Sequence, residues 1–338
     1  MDARFSAEQR ALRDAAAQLV DRLGPESVAA LDDVERRDKL EAAVAGAGWR
    51  ELREPDDSAQ TAGAPFASAV EVALVAEELA RGLADVPFLG PVLASELRRI
   101  AGVEVPAMPE TVAFAPDLSA VAAGTEVGAL ALDAAGAATA LVLIGDGGVP
   151  VLGRVAVDRP ADQQVDLTRM LALVASAAVG VGGRAVSADA MTRWTAFGLA
   201  VTSAELLGAM RGALDVTVAY AKTRSQYGNA IGSYQAVQHL LADAHVHIEG
   251  SRSVVLHAAW AADALDPTPA LAAGAIAKAY CSRAALSVCE TAIQVHGGIG
   301  NTWECLAHVF LRRVLLATDV LGGADANIAR VLVAQGIG

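Results

Sequence analysis

Aromatic side chains are scarce in this chain. They make up 4% of its 338 residues, although hydrophobic residues make up 54%, so the apolar content is mostly Ala, Val and Leu. Ala and Leu are strong helix formers, and this composition points to packed helices. Basic residues are also in short supply: 26 Lys and Arg stand against 39 Asp and Glu, a net charge of −13. That balance argues against a nucleic-acid partner, which would select for a basic face, while leaving room for a local basic pocket that takes a phosphate-bearing ligand. Cysteine is nearly absent. Cys281, Cys289 and Cys305 form no C-x-x-C pair, which fits reduced thiols buried as small apolar groups. Long apolar runs are missing too. The longest uncharged one, residues 170–183, falls short of the roughly 20 residues a membrane helix needs and is broken by glycine. The start, MDARFSAEQRALRD, has mixed charge and no apolar signal core. A soluble, cytoplasmic chain with no membrane contact is expected.

What is present reads as helices, then short strands, then helices. Ser6 followed by Gln9 forms a capping-box pattern, and Phe5, Leu12, Leu19 and Leu23 fall near one helical face. A turn-rich stretch from Pro55 to Pro65 precedes a helix, VEVALVAEELARGL, that ends at Leu83 before Pro87 and Pro91. Between Pro106 and Asp166 the runs TVAFA (Thr111 to Ala115), GALAL (Gly128 to Leu132) and TALVLIG (Thr139 to Gly145) sit between Gly, Pro and Asp turns and predict strands. From about Leu167 helical periodicity is expected to hold nearly to the end. Val237, Leu240, Leu241, Ala244 and Ile248 lie on one face of a long helix. Pro267 and Pro269 separate it from the next, which Gly297 and Gly298 end. Four long helices predict an antiparallel bundle. The expected organisation is therefore an N-terminal helical domain (1–105), a small β domain (106–166) and a C-terminal helical bundle (167–338).

Two segments carry chemistry. In YAKTRSQYGNAIGSYQAVQ, Tyr220 to Gln238, Arg224 stands at a helix end, a turn with Gly228, Asn229 and Gly232 follows, and a new helix opens with Tyr234 and Gln235. A guanidinium there can grip a diphosphate through charge-assisted hydrogen bonds; it can equally be a plain cation at a helix C-terminus. In QVHGGIG, Gln294 to Gly300, a glycine pair ends a helix. Glycine allows close backbone approach to a ligand, or simply forms a C-cap. The histidines show no metal pattern. His245 and His247 are two apart on a helix and cannot share a ligand, and His239, His257 and His308 have no metal-like partners nearby in sequence. No metal site is expected, and His296 is expected to be structural.

Together the two segments resemble the acyl-CoA dehydrogenase family, whose usual forms read Y-x-x-x-R-x-Q-F-G-x-P-I-x-x-F-Q and Q-x-x-G-G-x-G. The opening FSAEQ and GWRELREPDD around Trp49 are similar to the family's N-terminal phrases. The resemblance implies its fold: an N-terminal helical domain, a middle β domain, here reduced, and a C-terminal four-helix bundle that also makes the oligomer interface. It further implies FAD as cofactor. Arg224 would reach across the interface to the FAD diphosphate of a neighbouring subunit. Tyr227 would pack on that cofactor, Tyr234 and Gln235 would reach its adenosine half, and Gln294, Gly297 and Gly298 would meet its ribose or phosphates.

The family's other half-site is absent. Removing an α-proton requires a carboxylate base. By the family's spacing from Gly297, the base position of most members falls on Leu321; by a second branch's spacing back from Arg224 it falls near Gly198. Asp319, Glu205 and Asp325 could serve only after a shift of register. The flavin-ring phrase T-E-P-x-A-G-S-D is reduced at most to AFAPDLSA, Ala113 to Ala120. No catalytic residue is therefore assigned in this chain. The resemblance implies one subunit of a heteromeric α2β2 enzyme, as known in the family among actinobacterial steroid side-chain degraders. Its partner would be a second acyl-CoA dehydrogenase subunit that carries the catalytic Glu and binds most of the acyl-CoA. A self-sufficient homodimer with a displaced carboxylate, and a flavin-free scaffold, stand as alternatives.

Overall fold

The computed structural model describes residues 4–337 apart from 57, 59–62, 125, 146–147, 176 and 183–184. Part of the turn-rich stretch between Pro55 and Pro65 thus lies outside the described residues. Among the described residues four α-helices come first: α1 (Ala7–Leu23), α2 (Val34–Gly46), α3 (Ala69–Arg81) and α4 (Leu89–Ala101). The capping box at the head of α1 is formed, with the Ser6 hydroxyl accepting from the Gln9 amide at 3.1 Å and the Gln9 side chain accepting from the Ser6 amide at 3.0 Å.

Among the described residues six strands follow: β1 (Glu110–Phe114), β2 (Leu130–Ala131), β3 (Thr139–Ile144), β4 (Val151–Pro160), β5 (Ala172–Val174) and β6 (Val179–Gly180). Their order is β3-β1-β2-β5-β4-β6, and β3 also pairs antiparallel with β4, which closes the sheet on itself. The interior of this closed sheet is lined by Ala113, Ala122, Ala129, Ala131, Ala140 and Ala172 with Val142 and Val155. Small side chains suit so tight a curl, since few short strands leave little room inside. The expected strands in 111–115, 128–132 and 139–145 are found. Helix from about Leu167 is not: that stretch supplies β5 and β6, and the next helix starts at Ala188. The run LALVASAAVGVGG has helix-like composition, but pairing with β2 and β4 overrides it, as tertiary context does for short apolar runs.

The rest is helical: α5 (Ala188–Thr223), a small hairpin of β7 (Ser225–Gln226) and β8 (Asn229–Ala230), α6 (Gln235–Ala264), α7 (Pro267–His296), α8 (Ala307–Asp319) and α9 (Ala324–Ala334). Among the described residues three of these helices are long, with 36, 30 and 30 residues, rather than four. The shorter α8 packs on both α5 and α7, and α9 packs on α7. Pro267 stands in the first turn of α7, where its missing N–H costs nothing. The scarcity of aromatics now has a structural counterpart. A Cβ built on Gly208 or Gly212 of α5 would overlap the Glu77 or Arg81 carbonyl oxygen of α3, so the two helix backbones touch with no side chain between them.

The apolar face read on α6 is only partly covered. Ala244 and Ile248 are buried, whereas Val237 and Leu241 are half-buried and Leu240 is exposed. No helix of the described residues is long and apolar enough to cross a membrane.

Candidate functional site

Helix α5 ends on Arg224, whose amide donates to the Tyr220 carbonyl at 2.8 Å and whose carbonyl accepts from the Ile231 amide at 2.8 Å. The backbone of Arg224 is thus fixed from both sides. Its side chain is exposed and makes no hydrogen bond or ion pair with the described residues. The β7–β8 hairpin turns on Tyr227 and Gly228, with φ of +50° and +81°, the two left-handed positions a two-residue hairpin of this twist requires. Glycine takes that conformation freely. A tyrosine pays roughly 1–2 kcal/mol for it, and here the ring is 95% exposed, so no contact among the described residues compensates. Tyr234 turns its hydroxyl back onto the Gln226 carbonyl at 2.8 Å, tying the hairpin to the head of α6. Gln235, the first residue of α6, is exposed.

Helix α7 ends at His296. Gly297 takes φ +65° and donates its amide to the Gln294 and Ile293 carbonyls. Gln294, Gly297 and Gly298 are all exposed. A Cβ on Gly300 would lie 2.9 Å from the Ile293 carbonyl oxygen, so packing explains that glycine. A Cβ on Gly298 would meet nothing within 4 Å, and its φ is not positive. Among the described residues nothing requires a glycine there.

The two segments meet through a contact that sequence reasoning missed. The Tyr220 and His296 rings stack with centroids 4.4 Å apart and planes 23° from parallel. Tyr220 lies one helical turn before Arg224, and His296 directly precedes Gly297. The stack brings Arg224 and the glycine loop to one edge of the bundle. The i, i+4 spacing of Tyr220 and Arg224 was visible in the sequence; its partner on α7 was not. His296 Nδ1 is 2.7 Å from the Ala292 carbonyl oxygen. A carbonyl only accepts, so Nδ1 carries the proton.

The two positions where the family's spacing places a base are also brought together, and they touch. A Cβ on Gly198 would lie 2.5 Å from Leu321 Cδ1 and 3.3 Å from Leu93 Cδ2. Leu321 is 1% exposed, and its amide donates to the Leu118 carbonyl at 2.8 Å. Leu118 belongs to the segment 113–120, the remnant of the flavin-ring phrase. Trp194 and Phe114 pack close by with ring centroids 6.3 Å apart, and the Trp194 indole donates to the Leu93 carbonyl at 2.9 Å. The segment 113–120 and the turn carrying Leu321 are thus in direct hydrogen-bonded contact.

The displaced carboxylates fare no better. Glu205 Oε1 is held by Arg169 at 2.6 Å and by two nitrogens of Arg313 at 3.0 Å. Asp325 is exposed and pairs with Arg283 at 3.1 Å, and Asp319 is exposed at the end of α8. Among the described residues no group of three His, Cys, Asp or Glu is placed to hold a metal ion. Cys281 and Cys289 are buried as expected, but Cys305 is only half-buried, because it sits in the turn after the glycine loop and not inside α7.

The turn carrying Leu321 is held from beneath by Lys278 of α7. Its ammonium is fully buried and donates to the carbonyls of Ala317 at 2.5 Å and Val320 at 2.7 Å. Burial pushes its pKa down from 10.5 to about 7, against the pull of Glu205 and Asp319. Between pH 7 and 10.5 the unfolded chain therefore binds a proton that the folded chain has released, and this linkage makes folding more favourable as pH rises through that window. Lys278→Met leaves two buried carbonyls without a donor and is expected to cost about 1–3 kcal/mol. Urea denaturation at pH 7 and pH 9 should show the wild-type chain gaining on the Met variant at the higher pH.

With this geometry in hand, comparison with known proteins is direct. Residues 187–338 match the acyl-CoA dehydrogenase C-terminal domain. Acyl-CoA dehydrogenase IpdE2 of Mycobacterium tuberculosis (strain ATCC 25618 / H37Rv) is 35% identical over 248 residues, covering 72% of this chain and 70% of the relative. Acyl-CoA dehydrogenase IpdE2 of Mycolicibacterium smegmatis is 29% identical over 266 residues, 77% of each. Among solved structures, a variant of the Tcur3481-Tcur3483 steroid ACAD superposes with a TM-score of 0.81 at 25% identity, covering 97% of this chain and 98% of that one. The ChsE4-ChsE5 complex from Mycobacterium tuberculosis shares the fold with a TM-score of 0.79 at 24% identity over the full length of both chains. The chain belongs to the acyl-CoA dehydrogenase family, a family of FAD-dependent oxidoreductases.

Proposed function

We propose that this chain is the non-catalytic subunit of a heteromeric, α2β2 acyl-CoA dehydrogenase. The observation that carries the proposal is the closed base position: Gly198 and Leu321 in contact, both without a carboxylate, and Leu321 bonded directly to Leu118. In this reading the partner is a second acyl-CoA dehydrogenase subunit with a catalytic Glu, a flavin-ring loop and most of the acyl-CoA pocket. This chain supplies the across-interface half of the FAD site from Arg224, Tyr227, Tyr234, Gln235, Gln294, Gly297 and Gly298. Three features support that role: Arg224 without a partner and Gly298 without a packing need among the described residues, and the exposed Tyr227 held in a costly conformation. FAD would supply the hydride acceptor; this chain's residues would bind and orient its diphosphate and adenosine. The incompletely covered face of α6 suits a subunit interface.

The substrate proposed is a bulky CoA thioester such as a steroid side chain, because a structural relative is a steroid ACAD. A cytoplasmic location belongs to the same proposal. The test is to purify the chain alone and with a co-expressed dehydrogenase encoded beside it, then record flavin absorption and acyl-CoA oxidation. Flavin and turnover are expected only in the complex. Turnover by the chain alone would reject the split site in favour of a homodimer with a displaced base. A flavin-loaded, active complex indifferent to Arg224 would favour a scaffold. Asp319→Asn and Asp325→Asn are expected to leave the turnover of the complex unchanged, since Asp319 is exposed at the end of α8 and Asp325 is exposed and paired with Arg283.

A further inference from the structure

Where α3, α5 and the residues ahead of α4 meet, they form a cavity of about 10 Å³. Its wall is mostly apolar, with Ala76 and Leu79 of α3 and Val86 and Phe88 beyond it, but Arg169, Glu205 and Arg313 line it too. The side chains of Arg169 and Glu205 are only 4% and 3% exposed. One prong of this pair is closed, with Arg169 Nη2 2.6 Å from Glu205 Oε1. The other is open: among the described residues neither Arg169 Nη1 nor Glu205 Oε2 has a hydrogen-bond partner.

We propose that this cavity binds one internal water molecule, which accepts from Arg169 Nη1, donates to Glu205 Oε2 and so completes a two-pronged arginine–carboxylate pair. A buried donor and a buried acceptor without partners are costly, and protein interiors meet that need with ordered water. The size fits, since one water needs roughly 10–15 Å³ and at least two polar partners. The pairing fits as well. Arginine and a carboxylate commonly join through two parallel bonds, but here Oε1 takes Arg313 as well as Arg169, and Oε2 is left for the water. The chemistry selects the guest. An anion could accept from Arg169 but could not donate to Glu205, and it would meet three carboxylates, Glu205, Asp133 and Asp166, around two guanidiniums. A metal cation could not accept from Arg169, and no group of three His, Cys, Asp or Glu among the described residues is placed to hold one. Water does both. It ties α5 to the segment between β4 and β5 at the point where helices, sheet and bundle meet. The site rests on the packing of this chain and not on the split-site proposal.

A crystal structure of the full native chain, at a resolution that shows ordered water, tests this directly. One density peak is expected in the cavity, within about 2.7–3.2 Å of both Arg169 Nη1 and Glu205 Oε2. A cavity without density would overturn the proposal in favour of a dry void. An anomalous bromide signal there after a halide soak would overturn it in favour of an anion. Thermal melts give a second reading in solution. Ala76→Val extends the wall by two methyl groups. Displacing a bound water leaves Arg169 and Glu205 without its hydrogen bonds, so the Tm should fall, whereas filling a dry void stabilises a fold. A higher Tm in Ala76→Val would therefore also overturn the proposal.

Discussion

Glu205→Gln is expected to lower the folding stability of this chain by about 3–5 kcal/mol, the usual cost of breaking one side of a buried ion pair. Glu205 is 2% exposed and takes both Arg169 and Arg313. Arg313 in turn donates to the Ala84 carbonyl and the Thr168 hydroxyl, each at 2.9 Å. Arg169 reaches Asp133 at 3.1 Å, and Asp133 accepts the amides of Phe88 and Gly90 at the head of α4. One carboxylate thus anchors the charges that join the N-terminal helices, the closed sheet and the bundle. The Gln variant keeps the shape and removes the charge, so buried Arg313 loses the carboxylate it pairs with and buried Arg169 is left with Asp133 and the more distant Asp166. Urea denaturation of the two proteins measures the loss. Asp325→Asn, which touches only an exposed pair, should change stability by no more than about 1 kcal/mol. The same variant separates two readings of Glu205. A structural anchor predicts a large stability loss, with any activity of surviving complex retained. A displaced base predicts near-normal stability with turnover abolished.

How far the sequence reveals this molecule differs from element to element. The strands at Thr111 and Thr139 were readable because β-branched residues stand between turn signals, a local property. The strands at Ala172 and Val179 were not, because their residues are ambiguous until β2 and β4 offer them a ladder. Arg224 and the glycine pair could be picked out because the family's two motifs place particular residue types at fixed spacing. What links them, Tyr220 on His296, is a contact between α5 and α7 that no spacing within either helix encodes. The absence of a carboxylate at Leu321 and near Gly198 was visible in the sequence. That these two positions touch, and that Leu321 closes onto Leu118, follows only from the packing of α5, α8 and the segment after β1. An absent residue can be counted along a chain, whereas a filled site has to be built. Glu205 shows the limit from the other side. Its sequence position made it a candidate base, and only its two arginine partners show that its charge is already committed.

Arg224→Ala is expected to weaken FAD binding by the assembled complex by at least roughly 30-fold. In the proposed site the guanidinium faces a diphosphate, and removing it leaves buried phosphate charge without a counter-ion, at about 2–5 kcal/mol. The arginine is prepared for such a partner. Its backbone is pinned by Tyr220 and Ile231, its side chain is exposed, and no described residue pairs with it. Arg224→Lys should recover part of the affinity, because an ammonium supplies the charge without the two-pronged geometry. The fold should hardly notice either change, since a cation at the exposed C-terminus of α5 contributes only about 0.3–1 kcal/mol through the helix dipole. If Arg224 is merely such a C-terminal cation, the pattern reverses: a small loss of thermal stability in the alanine variant and normal FAD content. FAD titration into the apo-complex of each variant, beside thermal melts of the same samples, decides between the two. Wild-type affinity in Arg224→Ala would remove this residue from the cofactor site, and the across-interface role proposed for the chain would lose its principal cation.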